Sequence, residues 1–125
     1  MNKYDLIVVI SVRDNPQLGI YYTGPFFGKV RTVSEKNGNF SIRYLNDSDS
    51  FRPTRYDSFG YCRQKDTSIY GSTFYRAYTV EQALKYFRDV IDSYEGLVSN
   101  PNSGKIVEKF RGFLGKVQEM VDSLQ

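Results

Sequence analysis

The stretch Thr79-Val80-Glu81-Gln82-Ala83-Leu84-Lys85-Tyr86-Phe87 is where the sequence changes its period, and with it the fold. Thr79 and Gln82 stand at the spacing of a capping box, S/T-x-x-E/Q, whose side chains satisfy backbone N–H groups left unpaired at a helix start. Downstream, Val80, Ala83, Leu84, Phe87, Ile91, Tyr94 and Val98 recur at spacings of three and four, one apolar stripe of a helix. Lys85 with Asp89 and Arg88 with Asp92 form i,i+4 pairs on its polar side, each worth about 0.2–0.5 kcal/mol. The loop chemistry of Ser99-Asn100-Pro101-Asn102-Ser103-Gly104 follows. A second stripe then runs through Ile106, Phe110, Phe113, Leu114, Val117, Val121 and Leu124. Two amphipathic helices on a short linker predict an antiparallel hairpin over residues 79–125.

Upstream the period is that of strands. Residues 4–12, Tyr-Asp-Leu-Ile-Val-Val-Ile-Ser-Val, are β-branched and nearly continuous, which predicts a central strand buried on both faces and broken at Asp14-Asn15-Pro16. Residues 19–23 form a second segment leading into a loop, Gly24-Pro25-Phe26-Phe27-Gly28. Residues 29–36 and 39–45 flank Asn37-Gly38, the preferred pair for a two-residue type I′ turn. That register sets Lys36 against Asn39, Val33 against Ile42 and Arg31 against Tyr44. It places Val33, Phe40, Ile42 and Tyr44 on a packed face, with Thr32, Ser34, Ser41 and Arg43 on a wet one. Asn46 to Ser50 is a polar turn, and Pro53 excludes a central strand beside it. Residues 59–63 and 73–78 are short strand candidates. The expected fold is α+β: an antiparallel sheet of about four or five strands followed by the two-helix hairpin, one domain over residues 1–125.

Composition narrows the chemistry. The 125 residues include 11 Tyr and 9 Phe but no Trp, and most of the Tyr precede residue 79. The net charge is +3, and all of the excess sits in the strand half, where residues 1–78 carry 11 Lys/Arg against 7 Asp/Glu. That bias suits an anionic partner, yet it is far from the dense Lys/Arg footprint of a nucleic-acid binder, which makes nucleic acid an unfavoured partner. Cys62 is the only cysteine, so no intramolecular disulfide forms, and no signal peptide or membrane-length apolar run is evident. The expected compartment is the cytoplasm.

Histidine is absent, which removes Ser-His-Asp and Cys-His catalysis and most zinc sites. Cys62 beside Arg63 reads as a small strand residue before it reads as a nucleophile. Asp47-Ser48-Asp49 lacks the remaining EF-hand ligands, and Gly24-Pro25-Phe26-Phe27-Gly28 matches no phosphate loop, since Pro25 has no N–H to offer. A non-catalytic binding protein without metal or cofactor is the expectation. Two features carry it. Arg52 and Arg55 stand among Phe51 and Tyr56, and Arg76 follows Phe74 and Tyr75; guanidinium groups hold phosphate while rings stack on a base. The alternative is an ordinary basic sheet surface over an aromatic core. On the last helix, Lys109, Gly112 and Lys116 share one flank with Lys105, where an anion or a partner backbone can approach, or which is simply a solvated face.

A β half followed by two helices, in a basic, aromatic, His-free chain of this size, resembles the phage anti-Thoeris sponge proteins. The resemblance covers the whole chain at the level of architecture and carries over no site residue. It implies a homo-oligomer in a host cytoplasm that sequesters a nucleotide-derived immune signal, a cyclic ADP-ribose isomer or a cyclic oligonucleotide, and so blocks antiviral defence. On that expectation Arg52 and Arg55 hold phosphate, Phe74 or Tyr75 stacks the base, and Arg76 or Arg111 assists. A protein-binding inhibitor of a host defence complex and a weak nucleic-acid binder stand as alternatives.

Overall fold

The computed structural model describes residues 2–15, 19–49, 51–62, 66–68, 71–95 and 103–124. It divides into two compact units, Met1–Thr79 and Val80–Gln125, at the point where the sequence period changes. The α+β class holds, with an antiparallel sheet followed by two helices.

The first unit contains β1 (Leu6–Asn15), β2 (Gly19–Val33), β3 (Phe40–Tyr44), β4 (Arg55–Tyr56), β5 (Asp66–Ser68) and β6 (Gly71–Thr79). They form one six-stranded sheet in the order β4-β3-β2-β1-β6-β5, with antiparallel pairing throughout. β1 is central, as its composition requires: Ile7, Val8, Val9 and Ile10 are all buried, so neither face of the strand meets water.

Two local expectations need correction. Residues 24–28 are not a loop, because β2 runs through them without a break. Val9 pairs with Phe26 and Ser11 with Thr23, so Gly24 and Pro25 together oppose Ile10 in a bulge. The N–H that Pro25 lacks therefore falls where the ladder is already interrupted. Gly24 has φ +135°, and a Cβ there would lie 3.0 Å from both Ile10 Cδ1 and Val9 O, so the bulge needs a residue without a side chain.

The Asn37-Gly38 hairpin exists, but its turn is wider than a two-residue type I′ turn. Gly38 N donates to Ser34 O and Ser34 N to Asn39 O, closing a four-residue tip with Gly38 at φ +75°. Asn37 Oδ1 also accepts from Asn39 N, a side-chain bond that competes with the tighter turn. The register is Val33 with Phe40 and Val30 with Ile42, shifted by a bulge at Arg31. The two-face division nonetheless survives. Val33 packs against the cluster containing Phe40, Ile42 and Tyr44, and on the other face Thr32 Oγ1 bonds Ser41 Oγ.

Residues 57–62 join the edge strand β4 to β6. Tyr56 bridges to Cys62 and Tyr61 to Arg76, while Ala77 N donates to Gly60 O and Cys62 N to Tyr75 O. This clasp turns through Asp57, whose carboxylate accepts from Phe59 N and Tyr61 N. Gly60 sits at φ +90° with its hypothetical Cβ 2.1 Å from Ala77 O, so no other residue fits.

Inside lie Ile7, Val9, Val30, Phe40, Ile42, Tyr44, Tyr56, Tyr75 and Ala77. The core holds two phenols with one acceptor between them. Tyr44 Oη donates to Pro53 O at 2.6 Å, and Tyr56 Oη lies 2.9 Å from the same oxygen and 3.1 Å from Tyr44 Oη. Burial pushes Tyr44 up to about 12, partly opposed by its bond with Tyr56. Tyr56 rises further, first through burial and then through the neighbouring Tyr44.

The second unit pairs α1 (Val80–Glu95) with α2 (Ser103–Ser123). Phe87 meets Phe110 and Phe113 with ring centroids 5.7 Å apart in each case, and Phe110 meets Phe113 at 5.3 Å. Ala83, Ile91, Val107 and Val117 complete the buried set. Val107 was not on the predicted stripe, and Leu124, which was, is exposed, because the 21 residues of α2 outrun the 16 of α1. Val98, the linker residues 99–102, Pro16, Arg63 and Lys65 lie outside the described residues.

Candidate anion-binding site

The residues singled out from the sequence do not converge. Arg52 lies over the Phe26 ring, its guanidinium carbon 3.7 Å from the ring centroid, with Phe51 at 4.8 Å and Asp49 3.8 Å away. It is a packing residue over the core, its charge answered by Asp49. Tyr75 is buried in the core cluster, so it has no face to offer a base, whereas its neighbour Phe74 points the other way and is 63% exposed. The two alternate because side chains along a strand have period 2. Arg76 is held between two rings, 4.6 Å from Tyr61 and 5.0 Å from Tyr78. Burial raises the Tyr78 phenol, and Arg76 lowers it in part. Arg55 is exposed on β4.

On α2, Lys109, Arg111, Gly112 and Lys116 are all exposed. Arg111 is engaged with Glu95, and Lys109 Nζ lies 5.8 Å from the Phe113 ring. A Cβ at Gly112 would meet nothing within 4 Å, so no close approach inside this unit explains the glycine.

A different set of residues does converge. Lys3, Tyr4, Lys29, Arg31, Thr32, Arg43, Leu45 and Asp47 line a cavity of about 530 Å³, floored by Val30 and Tyr44. Four of these are cations and one is an acid. Among the described residues, none of the four cations has a carboxylate within 4 Å. Lys29 and Arg43 are directly paired across the β2–β3 ladder. Like charges so placed repel, a cost of up to about 1 kcal/mol that hydrophobic packing on this exposed face does not offset. The bulge at Arg31 brings a third cation to the same strand face.

The fourth cation comes from a turn. Asn2 N donates to Asp5 Oδ2 and Asp5 N to Asn2 O, while Tyr4 N donates to Val30 O. This holds Tyr4 at φ +73°, a left-handed conformation rare for an aromatic residue. The turn sets Lys3 Nζ 5.3 Å from the Tyr4 ring and leaves that ring 70% exposed at the cavity rim. Backbone strain here displays an aromatic face instead of burying it.

A cavity whose cations lack carboxylate partners, with one exposed ring at its rim, can hold an anion and stack a planar group. Among the described residues no group of His, Cys, Asp or Glu gathers to hold a metal ion, and Asp47 stands apart from Asp49, which faces Arg52. Sequence reasoning assigned Arg43 to the wet face of the hairpin but did not connect it with Lys29. The signal was the alternation of β2 and β3, obscured by a register taken one turn type too tight. Among the described residues no helix is long and apolar enough to cross a membrane. In comparisons with known proteins, no family model, no curated protein and no solved structure matches this chain.

Proposed function

We propose that this chain is a non-catalytic binding protein that captures a small anionic, nucleotide-type ligand in the cavity between the residue 2–5 turn and the β2–β3 face. The observation that carries the reading is the unpaired Lys29–Arg43 juxtaposition, flanked by Lys3 and Arg31 and overlooked by the Tyr4 ring. A nucleotide meets both demands at once, with phosphate for the cations and a base for the ring. The biological role proposed is sequestration of a nucleotide-derived immune signal, as in the phage sponge proteins that the chain resembles in architecture and size, with the chain acting as a homo-oligomer in the cytoplasm of an infected host.

Isothermal titration with AMP, cyclic ADP-ribose isomers and cyclic dinucleotides tests this directly. Binding that disappears in Lys29→Ala/Arg43→Ala, with the ligand recovered intact, supports the reading; silence across the panel removes it. Protein-binding inhibition has its own observation, the exposed rings of Phe59 and Phe74. Stoichiometric recovery of a host protein, abolished by Phe59→Ser or Phe74→Ser, would favour that reading instead.

A further inference from the structure

A second cavity adjoins the first. It measures about 280 Å³ and is lined by Thr32, Val33, Ser34, Asn37, Asn39, Phe40, Ser41 and Arg55. Thr32 lines both cavities, and its bond to Ser41 Oγ forms a low hydroxyl saddle between them. The register explains the adjacency. Lys29 pairs with Arg43, Thr32 with Ser41, and Ser41 with Arg55, so these residues share the face of β2, β3 and β4 that turns away from Phe40 and Tyr56. Among the described residues, Arg55 is thus the one cation lining the second cavity.

We propose that the two cavities are subsites of one groove, and that its ligand carries two separated anionic groups, one held by Lys29 and Arg43 and the other by Arg55. This rests on the nucleotide-binding reading above and narrows it. Strand rise and strand spacing set the Arg55 backbone about 8 Å from that of Arg43 and about 12 Å from that of Lys29. Two phosphates on opposite sides of a ribose match this spacing, one to each cavity, with Lys29 and Arg43 lining one and Arg55 the other. Between them the saddle offers hydroxyls and the hairpin tip offers Asn37 and Asn39, groups that can bond the hydroxyls of a sugar. The class is therefore a nucleotide phosphorylated at two positions, or a dinucleotide whose phosphates are separated by a nucleoside.

The test compares adenosine 3′,5′-bisphosphate with ADP, two ligands with two phosphates each that differ in whether those phosphates are separated. Titration calorimetry of the full chain is expected to give at least about tenfold tighter binding of the bisphosphate, the effect of one charge-assisted contact. Arg55→Gln should bring the two affinities together by weakening the bisphosphate alone. Arg55→Lys, which keeps the charge, should retain part of the preference. Ser41→Val, which replaces a hydroxyl of the saddle with a bulkier apolar group, should also remove the preference while Arg55 itself is kept. Equal binding of both ligands by the native chain, or a preference unchanged in Arg55→Gln and Ser41→Val, overturns the two-subsite groove and leaves the nucleotide reading standing. Absence of binding by both ligands overturns the groove, and together with silence across the panel above it overturns the nucleotide reading as well.

Discussion

Lys29 and Arg43 face each other across the β2–β3 ladder with no carboxylate among the described residues close enough to separate their charges. A pairing that costs stability and serves no packing is informative. Replacing Arg43 with Gln is expected to hold or raise unfolding stability, by up to about 1 kcal/mol, because repulsion between directly opposed cations is relieved. The same substitution should weaken nucleotide binding at least about tenfold, the loss of a charge-assisted contact. Urea unfolding beside calorimetric titration reads both. A fall in stability would instead assign Arg43 a structural role.

Tyr4 makes the same argument through the backbone. Its φ of +73° suits Asn or Gly far better than an aromatic residue. Tyr4→Asn should therefore leave the thermal midpoint unchanged or higher. Nucleotide affinity should drop by about 1–3 kcal/mol, the worth of one stacked base.

Gly60 closes the clasp against Ala77, with no space for a side chain. Gly60→Ala should destabilise by more than about 2 kcal/mol, since strained φ and a backbone collision act together. Gly112 offers the opposite case. It stands open on α2, so Gly112→Ala should stabilise by about 1 kcal/mol, the helix propensity difference. Thermal unfolding of the two variants should move in opposite directions.

The two buried phenols predict a response to base. Tyr44 and Tyr56 are both raised above the ordinary tyrosine value of 10 by burial, Tyr44 to about 12. Below the unfolded value both states keep the proton, and the contribution is fully present. Above it the unfolded chain releases protons that the folded chain retains, so stability falls as pH rises from about 10 through the folded value. Tyr56→Phe should make the decline between pH 10 and 12 shallower, and leave stability nearly flat with pH near neutrality. Absorbance of tyrosinate during alkaline titration follows the transition.

The helix pair was the most legible part of the fold, because a capping box and a 3.6-residue period are local signals. The phenylalanine packing of Phe87, Phe110 and Phe113 follows from those signals alone. β1 was legible for a similar reason, its unbroken β-branched run having no other stable home. What escaped were the features set by pairing between distant residues. The passage of β2 through Gly24 and Pro25 depends on a bulge opposite Ile10, and the hairpin register on the bulge at Arg31. The candidate site suffered most. Arg52 and Tyr75 have the right chemistry in sequence, but one is clamped onto Phe26 and the other faces inward, because strand alternation sorts neighbours onto opposite faces. Lys3 reaches the cavity only through a turn whose left-handed residue is a tyrosine, a conformation that no propensity would suggest.

The clasp at residues 57–62 has a bearing on how this chain meets other molecules. An open sheet invites a visiting strand to add itself to an edge, the usual route to swapped dimers and fibrils. Here the backbone groups of Tyr56 and of β6 from Tyr75 to Ala77 are already engaged by the clasp, so that stretch offers no template for an incoming strand. Recognition along that stretch falls to side chains, and self-association there has to be built from faces.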